Sequence, residues 1–461
     1  MKEYRKVSFW LDTAGEDLTP RPGLTHSVDV DVAILGAGYT GLWTAYYLLR
    51  NNPALRLAVV EKEIVGFGAS GRNGGWCSSK FPVTPGMLER RYGRERARAL
   101  MLAMNDSVNE VARLCETEQV DAHFHKGGLL TLARCAHHLP LIREAHAGYE
   151  RLGLADQYRL LSAEEAAERI KVTRLHGALS ATENASVHPA RLVRGLARAV
   201  ERRGGVIYEQ TGVEEFIGGP IPKLRTPAGE IRAQQAVVLA GEAYLTRLTK
   251  LHRTLLPVYS LIAITEPLTE SQWSAIGWQN RESVSSAKYT VDYLTRTADG
   301  RILFGSRGAP YRFGSKITDE QDLHAETHSR IEQTVREWFP MLQGIRFTHH
   351  WGGPVGMPRD WMPMVTFDQA TRIGTARGYT GQGVSTTNLA GRTLADLILG
   401  KKSCLDELPL AQRRSPSWEV EPLRWIAVRY AQNAFLRIDA AAEKGDRKPW
   451  DAPVAELLGK H

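Results

Sequence analysis

Three glycine-rich stretches carry the residues whose types and spacing suit chemistry. The first is Gly36-Ala37-Gly38-Tyr39-Thr40-Gly41, a G-x-G-x-x-G. It follows the apolar β-branched run VDVAIL and opens the run TGLWTAYYLLR, so a predicted strand feeds a predicted helix. In that context Gly36 permits a tight turn, Gly38 lets backbone approach a pyrophosphate, and Gly41 lets the helix pack on the strand. The pyrophosphate would rest on the N–H groups at the helix start. A second strand, LAVVE, ends at Glu61, 20 residues beyond Gly41, where a carboxylate accepts hydrogen bonds from a ribose. Lys62 follows it. This βαβ unit predicts an adenine dinucleotide and does not by itself separate NAD from FAD.

The second stretch, GFGASGRNGGW over residues 66–76, comes within a few residues of Glu61. A nicotinamide enzyme would enter another helix here. A loop of Gly68, Ala69, Ser70, Arg72, Asn73, Gly74 and Gly75 instead suits a longer cofactor, with N–H groups for phosphate or ring oxygens and no side chains against a flat ring. Arg72 has two readings, a phosphate partner or a group that orients the loop. The third stretch, GYTGQGV over residues 378–384, puts Gly381, Gln382, Gly383 and Val384 at the start of a second helix. Such a helix start stabilises negative charge on a reduced flavin ring. Two glycine-led helix starts, one for a pyrophosphate and one for a ring, predict FAD.

The rest of the chain must position these stretches. Its 461 residues are 43% hydrophobic and 24% charged, the balance of a folded protein of two or three domains. The net charge of +8 is spread along the sequence, and its densest cluster, RRYGRERAR, has no nucleic-acid motif. Four cysteines without a C-x-x-C pair suit a reducing cytoplasm. No signal peptide or membrane span is expected. His123-Phe124-His125 lacks a third ligand at zinc spacing, so no metal is expected. The stretch 257–306 alternates and is cut by turns such as Asp299-Gly300, which predicts antiparallel strands. The fold class is therefore α/β plus α+β, a Rossmann-like dinucleotide domain interrupted by an antiparallel-sheet domain. Segments 30–86, 175–248 and 345–400 are assigned to the first, 87–174 and 249–344 to the second, and 401–461 to a helical extension.

GAGYTG with Glu61, GASGRNGG, and GYTGQGV with its helix resemble the D-amino-acid-oxidase-like family of FAD-dependent oxidoreductases. SFWLDTA near the N-terminus and DGRILFG at 299–305 are similar to the γ-glutamylputrescine oxidase branch. The resemblance runs from about residue 8 to residue 400. It implies that Val213 brackets adenine, and that Ala240-Gly241 and the Trp351-Gly352-Gly353 element border the cofactor. Asp360-Trp361-Met362-Pro363 matches a further element, with Arg359 as a departure. It also implies oxidation of a primary or secondary amine or an amino acid. Hydride passes from the C–N carbon to flavin N5, the imine hydrolyses, and O2 or another acceptor takes the electrons. Such a pocket must be aromatic and poor in water, because desolvation keeps the amine neutral. Candidates are Trp76 and Cys77 after the loop, and Tyr259, Lys288, Tyr289, Tyr293, Arg307 and His350 from the antiparallel domain. A flavin monooxygenase, a flavin-binding protein without turnover and an NAD dehydrogenase stay open as alternatives.

Overall fold

The computed structural model describes residues 2–459. Val28–Leu35 stands in the middle of the first sheet, flanked in parallel by Leu57–Val60 and Gly229–Leu239. Val32, Ala33 and Ile34 are fully buried, as expected of a strand covered on both faces. The order across this sheet is 364–368, 373–377, 229–239, 28–35, 57–60, 206–208, and a hairpin of Glu215–Ile217 and Lys223–Thr226 joins Gly229–Leu239. The helices Tyr39–Asn51 and Gly383–Leu399 touch backbone to backbone. A Cβ on Gly391 would lie 2.6 Å from the Cβ of Trp43 and 3.0 Å from the nitrogen of Thr44.

The second sheet also has eight strands, in the order 347–357, 256–265, 302–307, 292–296, 283–286, 129–133, 177–181, 158–161. Two members differ from the expected segment assignment. Gly177–Ala181 pairs with Leu129–Ala133, and Phe347–Met357 pairs along its length with Leu256–Thr265. Both lie in segments that the sequence pattern assigns to the dinucleotide domain. A short apolar run does not encode which sheet it joins, so its partner decides. The chain re-enters the first sheet only at Met364–Asp368. The alternating run that begins at Lys288 is strand only over Asp292–Arg296. Val291 has φ 56°, and the N–H groups of Tyr289 and Thr290 donate to the Asp439 carboxylate. Asp439 belongs to the helix Leu423–Lys444, whose Phe435 stacks on Tyr289. Among the described residues, no helix is long and apolar enough to cross a membrane.

Gly391→Val should destabilise the protein by about 1–3 kcal/mol, because the two helices leave no room for a side chain. An earlier unfolding midpoint is the expected result. An unchanged midpoint would mean that the helices separate freely.

Candidate cofactor and substrate site

The carboxyl ends of the central parallel strands meet the glycine stretches. Gly36 has φ +104°, and a Cβ there would stand 2.7 Å from the carbonyl oxygen of Ala240. A Cβ on Gly41 would fall 2.0 Å from the oxygen of Gly36. Both positions therefore demand glycine. The Ala37 N–H donates to Glu61 Oε2 at 3.0 Å, and the Glu63 N–H donates to Glu61 Oε1 at 3.0 Å. A carboxylate keeps acceptor capacity beyond two such bonds. Burial raises the pKa of Glu61, and these N–H groups oppose that rise. The Tyr39 N–H donates to Ser70 Oγ at 2.8 Å, which leaves the Ser70 hydroxyl proton free to be donated elsewhere. Gly38 is as close, since its Cβ would lie 2.9 Å from Ser70 Oγ. Thr40 Oγ1 and Tyr379 OH are 2.9 Å apart, tying the first stretch to the third. Thr211 N–H donates to the Glu61 carbonyl at 2.8 Å, which brings half-buried Val213 alongside. Lys62 is exposed, and only its stem nears Gly212.

The 66–76 loop is held by its carbonyl groups. Ser8 Oγ donates to the Gly71 oxygen at 2.7 Å, Trp10 Nε1 to Asn73 O at 2.7 Å, and Trp351 Nε1 to Arg72 O at 2.8 Å. Thr295 Oγ1 donates to Gly74 O at 2.6 Å and the Val187 N–H to Gly75 O at 2.8 Å. Ala69–Gly71 is a single 3-10 turn after Gly68. The side chain of Asn73 closes the loop on itself, donating to the oxygens of Ala69 and Ser70 and accepting from Gly75 N–H. Arg72 takes the orienting role of its two readings. Its Nε donates to Phe67 O at 2.8 Å and one Nη to Asp322 at 2.6 Å and Gly352 O at 3.2 Å, with the guanidinium over the Phe67 ring. Gly353 makes room for it, since a Cβ there would sit 3.4 Å from Arg72 Cδ.

Alternation along the second sheet decides which candidates face this loop. Ser260 pairs with Gly353 and Arg307, and Tyr293 pairs with Gly305, so these residues share one face. The Tyr293 ring fills the space over Gly74, whose Cβ would lie 2.4 Å from it. Its hydroxyl is 2.8 Å from Ser260 Oγ, and burial pushes its pKa up to about 12. Trp76 packs edge-on at 5.9 Å and donates through Nε1 to Leu294 O and Thr295 Oγ1. Tyr259, one residue from Ser260, points the other way, and its hydroxyl is spent on the backbone of Thr318. His350 likewise turns to Glu332, 2.8 Å away, while His349 approaches Asp12. Lys288 pairs with Glu443 of the helix Leu423–Lys444, and Tyr289 donates to Glu456. For Tyr259 and His350 the cause of the correction is strand phase, which residue type does not reveal. Lys288 lies outside the strand and is drawn to Glu443. Cys77 is fully buried in the core, and burial raises its thiol pKa.

The third stretch completes the site. Gly378 and Gly381 have φ +85° and +90°, with Thr380 between them at φ 55°. Gln382 caps Gly383–Leu399 without a side-chain hydrogen bond of its own, and Val384 is buried. An Nη of Arg307 donates to Thr380 O at 3.1 Å. Three further groups carried no sequence motif. Lys80 is partly buried, and among the described residues it pairs with no carboxylate. Burial lowers its pKa, Asp292 opposes that, and Arg307 adds to the lowering. Arg377 ends its strand buried, with Nε and one Nη lacking a hydrogen-bond partner. Glu242 accepts the Gly378 N–H at 3.0 Å, and burial pushes its pKa up to about 7.

A carboxyl with a raised pKa favours the fold while protonated. The contribution of Glu242 is therefore present below its ordinary value of 4.5 and lost as pH rises towards about 7. Over that window flavin-free wild-type protein should lose thermal stability relative to Glu242→Gln. Parallel melting profiles for the two proteins would reject this.

The donors and spaces fit a dinucleotide: bare backbone at Gly36 and Gly38, acceptor capacity on Glu61, and orphaned guanidinium N–H groups on Arg377. Residues 31–397 match the family model described as DAO, FAD dependent oxidoreductase. The chain is 31% identical over 403 residues to gamma-glutamylputrescine oxidoreductase of Escherichia coli strain K12, covering 87% of this chain and 91% of that one. It is 23% identical to sarcosine oxidase subunit beta of Rhodobacter capsulatus, over 80% of this chain and 84% of that protein. Glycine oxidase from Geobacillus kaustophilus shares the fold, with a TM-score of 0.67, 21% identity, and coverage of 84% of this chain and 99% of that structure. The chain belongs to the DAO family of FAD-dependent oxidoreductases.

Proposed function

We propose that this oxidoreductase oxidises the C–N bond of a small amine that also carries a carboxylate, as in a γ-glutamyl amine or an amino acid. The observation that carries this reading is the cluster Trp76, Tyr293, Arg307 and Lys80. It combines aromatic walls with two cations that, among the described residues, form no ion pair with a carboxylate, Asp292 acting on Lys80 only through its field. FAD would be held by backbone N–H groups of Gly36–Gly41, by Glu61 and Ser70, by the 68–75 loop, and by the helix start at Gly381–Val384. Bound there, FAD supplies a two-electron acceptor for the carbon beside the nitrogen.

The chain's own residues do the remaining work. Trp76 and Tyr293 exclude water, which disfavours an ammonium and leaves the amine lone pair available. Tyr293 stays a neutral phenol at physiological pH, and the 2.8 Å contact with Ser260 holds its hydroxyl in place. Lys80 Nζ and the Arg307 guanidinium take the substrate carboxylate, whose charge relieves their mutual repulsion. The relation to gamma-glutamylputrescine oxidoreductase supports a γ-glutamyl amine as first choice. Reoxidation falls to O2 or another acceptor.

An anaerobic screen for loss of flavin absorbance should show faster bleaching by γ-glutamylputrescine than by putrescine. No bleaching by any amine or amino acid would overturn the reading. Lys80→Met should raise KM for the carboxylate-bearing substrate by about tenfold or more and leave a plain amine unchanged. Equal effects on both would remove Lys80 from carboxylate binding. Gly38→Val should yield protein purified without FAD, and a normal flavin content would refute the pyrophosphate placement.

A further inference from the structure

A cavity of about 150 Å³ shares a wall with the 66–76 loop. Three residues lining it, Trp10, Thr295 and Val187, are the donors to the carbonyls of Asn73, Gly74 and Gly75. Its volume suits a small molecule better than a single water. Neither Lys80 nor Arg307 lines it, so it is distinct from the amine pocket.

The charge on this wall is unbalanced. Arg281 makes only long contacts, 3.4 Å from Nε to Arg296 O and 3.3 Å from one Nη to Ser186 Oγ. Among the described residues it has no carboxylate partner. Arg191 spends one Nη on Asp121 at 2.8 Å, but its Nε is buried without a hydrogen-bond partner. The one acid of the wall, Asp299, is already engaged by Thr297 at 2.6 Å and Arg301 at 2.7 Å. His188 supplies a ring rather than a charge. Its nitrogens meet Thr13 Oγ1 and the Arg191 N–H, and burial pushes its pKa down to about 3. Arg281 and His123 both sit at φ 50°, a left-handed backbone that is costly for a side-chain-bearing residue and recurs at ligand clamps.

We propose that this cavity binds a small aliphatic carboxylate. Arg281 and the Arg191 Nε–H take its oxygens, and Phe9 and Trp10 face its alkyl part. The planar guanidinium fork suits a carboxylate, and the aromatic wall favours an organic acid over inorganic phosphate.

Calorimetric titration of propionate into the FAD-loaded protein tests this. Saturable binding should persist in Lys80→Met, which weakens anion binding at the amine pocket. It should weaken at least about tenfold in Arg281→Met, and uncharged propionamide should give no heat. Equal affinity in Arg281→Met, or loss of binding in Lys80→Met alone, would overturn the site. If Arg281→Met fails to fold, wild-type crystals soaked in propionate decide. Density between Arg281 and Trp10 supports the site, and its absence there refutes it. Either outcome is independent of which amine bleaches the flavin.

Discussion

The buried guanidinium of Arg72 is the constraint on which the site rests. A loop with so many glycines has little conformational preference of its own, and ordering it costs entropy. Arg72 offsets that cost with a clamp from inside the protein, reaching the loop at Phe67, the second sheet at Gly352, and Asp322 before the helix Ala325–Trp338. Burial lifts the Asp322 carboxyl to about 6 even with Arg72 beside it. Such a pair specifies an arrangement more than it adds net stability, since desolvation offsets much of the attraction. Removing either partner would leave the other buried and unpaired.

Around that clamp the protein uses carbonyls and N–H groups for different ends. The oxygens of Gly71, Arg72, Asn73, Gly74 and Gly75 are each satisfied by a donor from the N-terminal segment, the second sheet or Val187. The N–H groups of Gly66, Phe67, Gly71, Arg72, Asn73 and Gly75 are also engaged within the protein, so a loop fixed this way keeps its shape while the rest of its donors can meet a cofactor. The two domains are therefore joined at the loop itself: Trp351 and Thr295 belong to the antiparallel sheet and hold backbone that follows the parallel one.

Much of the dinucleotide half was legible in the sequence because its signals are local. Gly36 and Gly41 are demanded by backbone oxygens 2.7 Å and 2.0 Å from where a Cβ would stand. Glu61 follows at the distance a βαβ unit dictates. The substrate half was less legible. Tyr293 and Arg307 face the loop, whereas Tyr259, Lys288 and His350 do not, although all five are plausible by type. One residue of strand phase separates Ser260 from Tyr259, and phase is set by pairing with distant strands. Lys80, Glu242 and Arg377 stood in no motif. Their character comes from burial and neighbours.

The sequence by itself determined the family, the cofactor class and the positions where backbone must stay bare, because local turns, helix starts and steric limits are written in adjacent residues. Only the tertiary structure decided which side chains meet. It turned Arg72 into a clamp, put Lys80 where both Asp292 and Arg307 act on its charge, and sent two strands of the expected dinucleotide segments into the other sheet. Those outcomes depend on register, burial and charge between residues far apart in the chain, which no local pattern encodes.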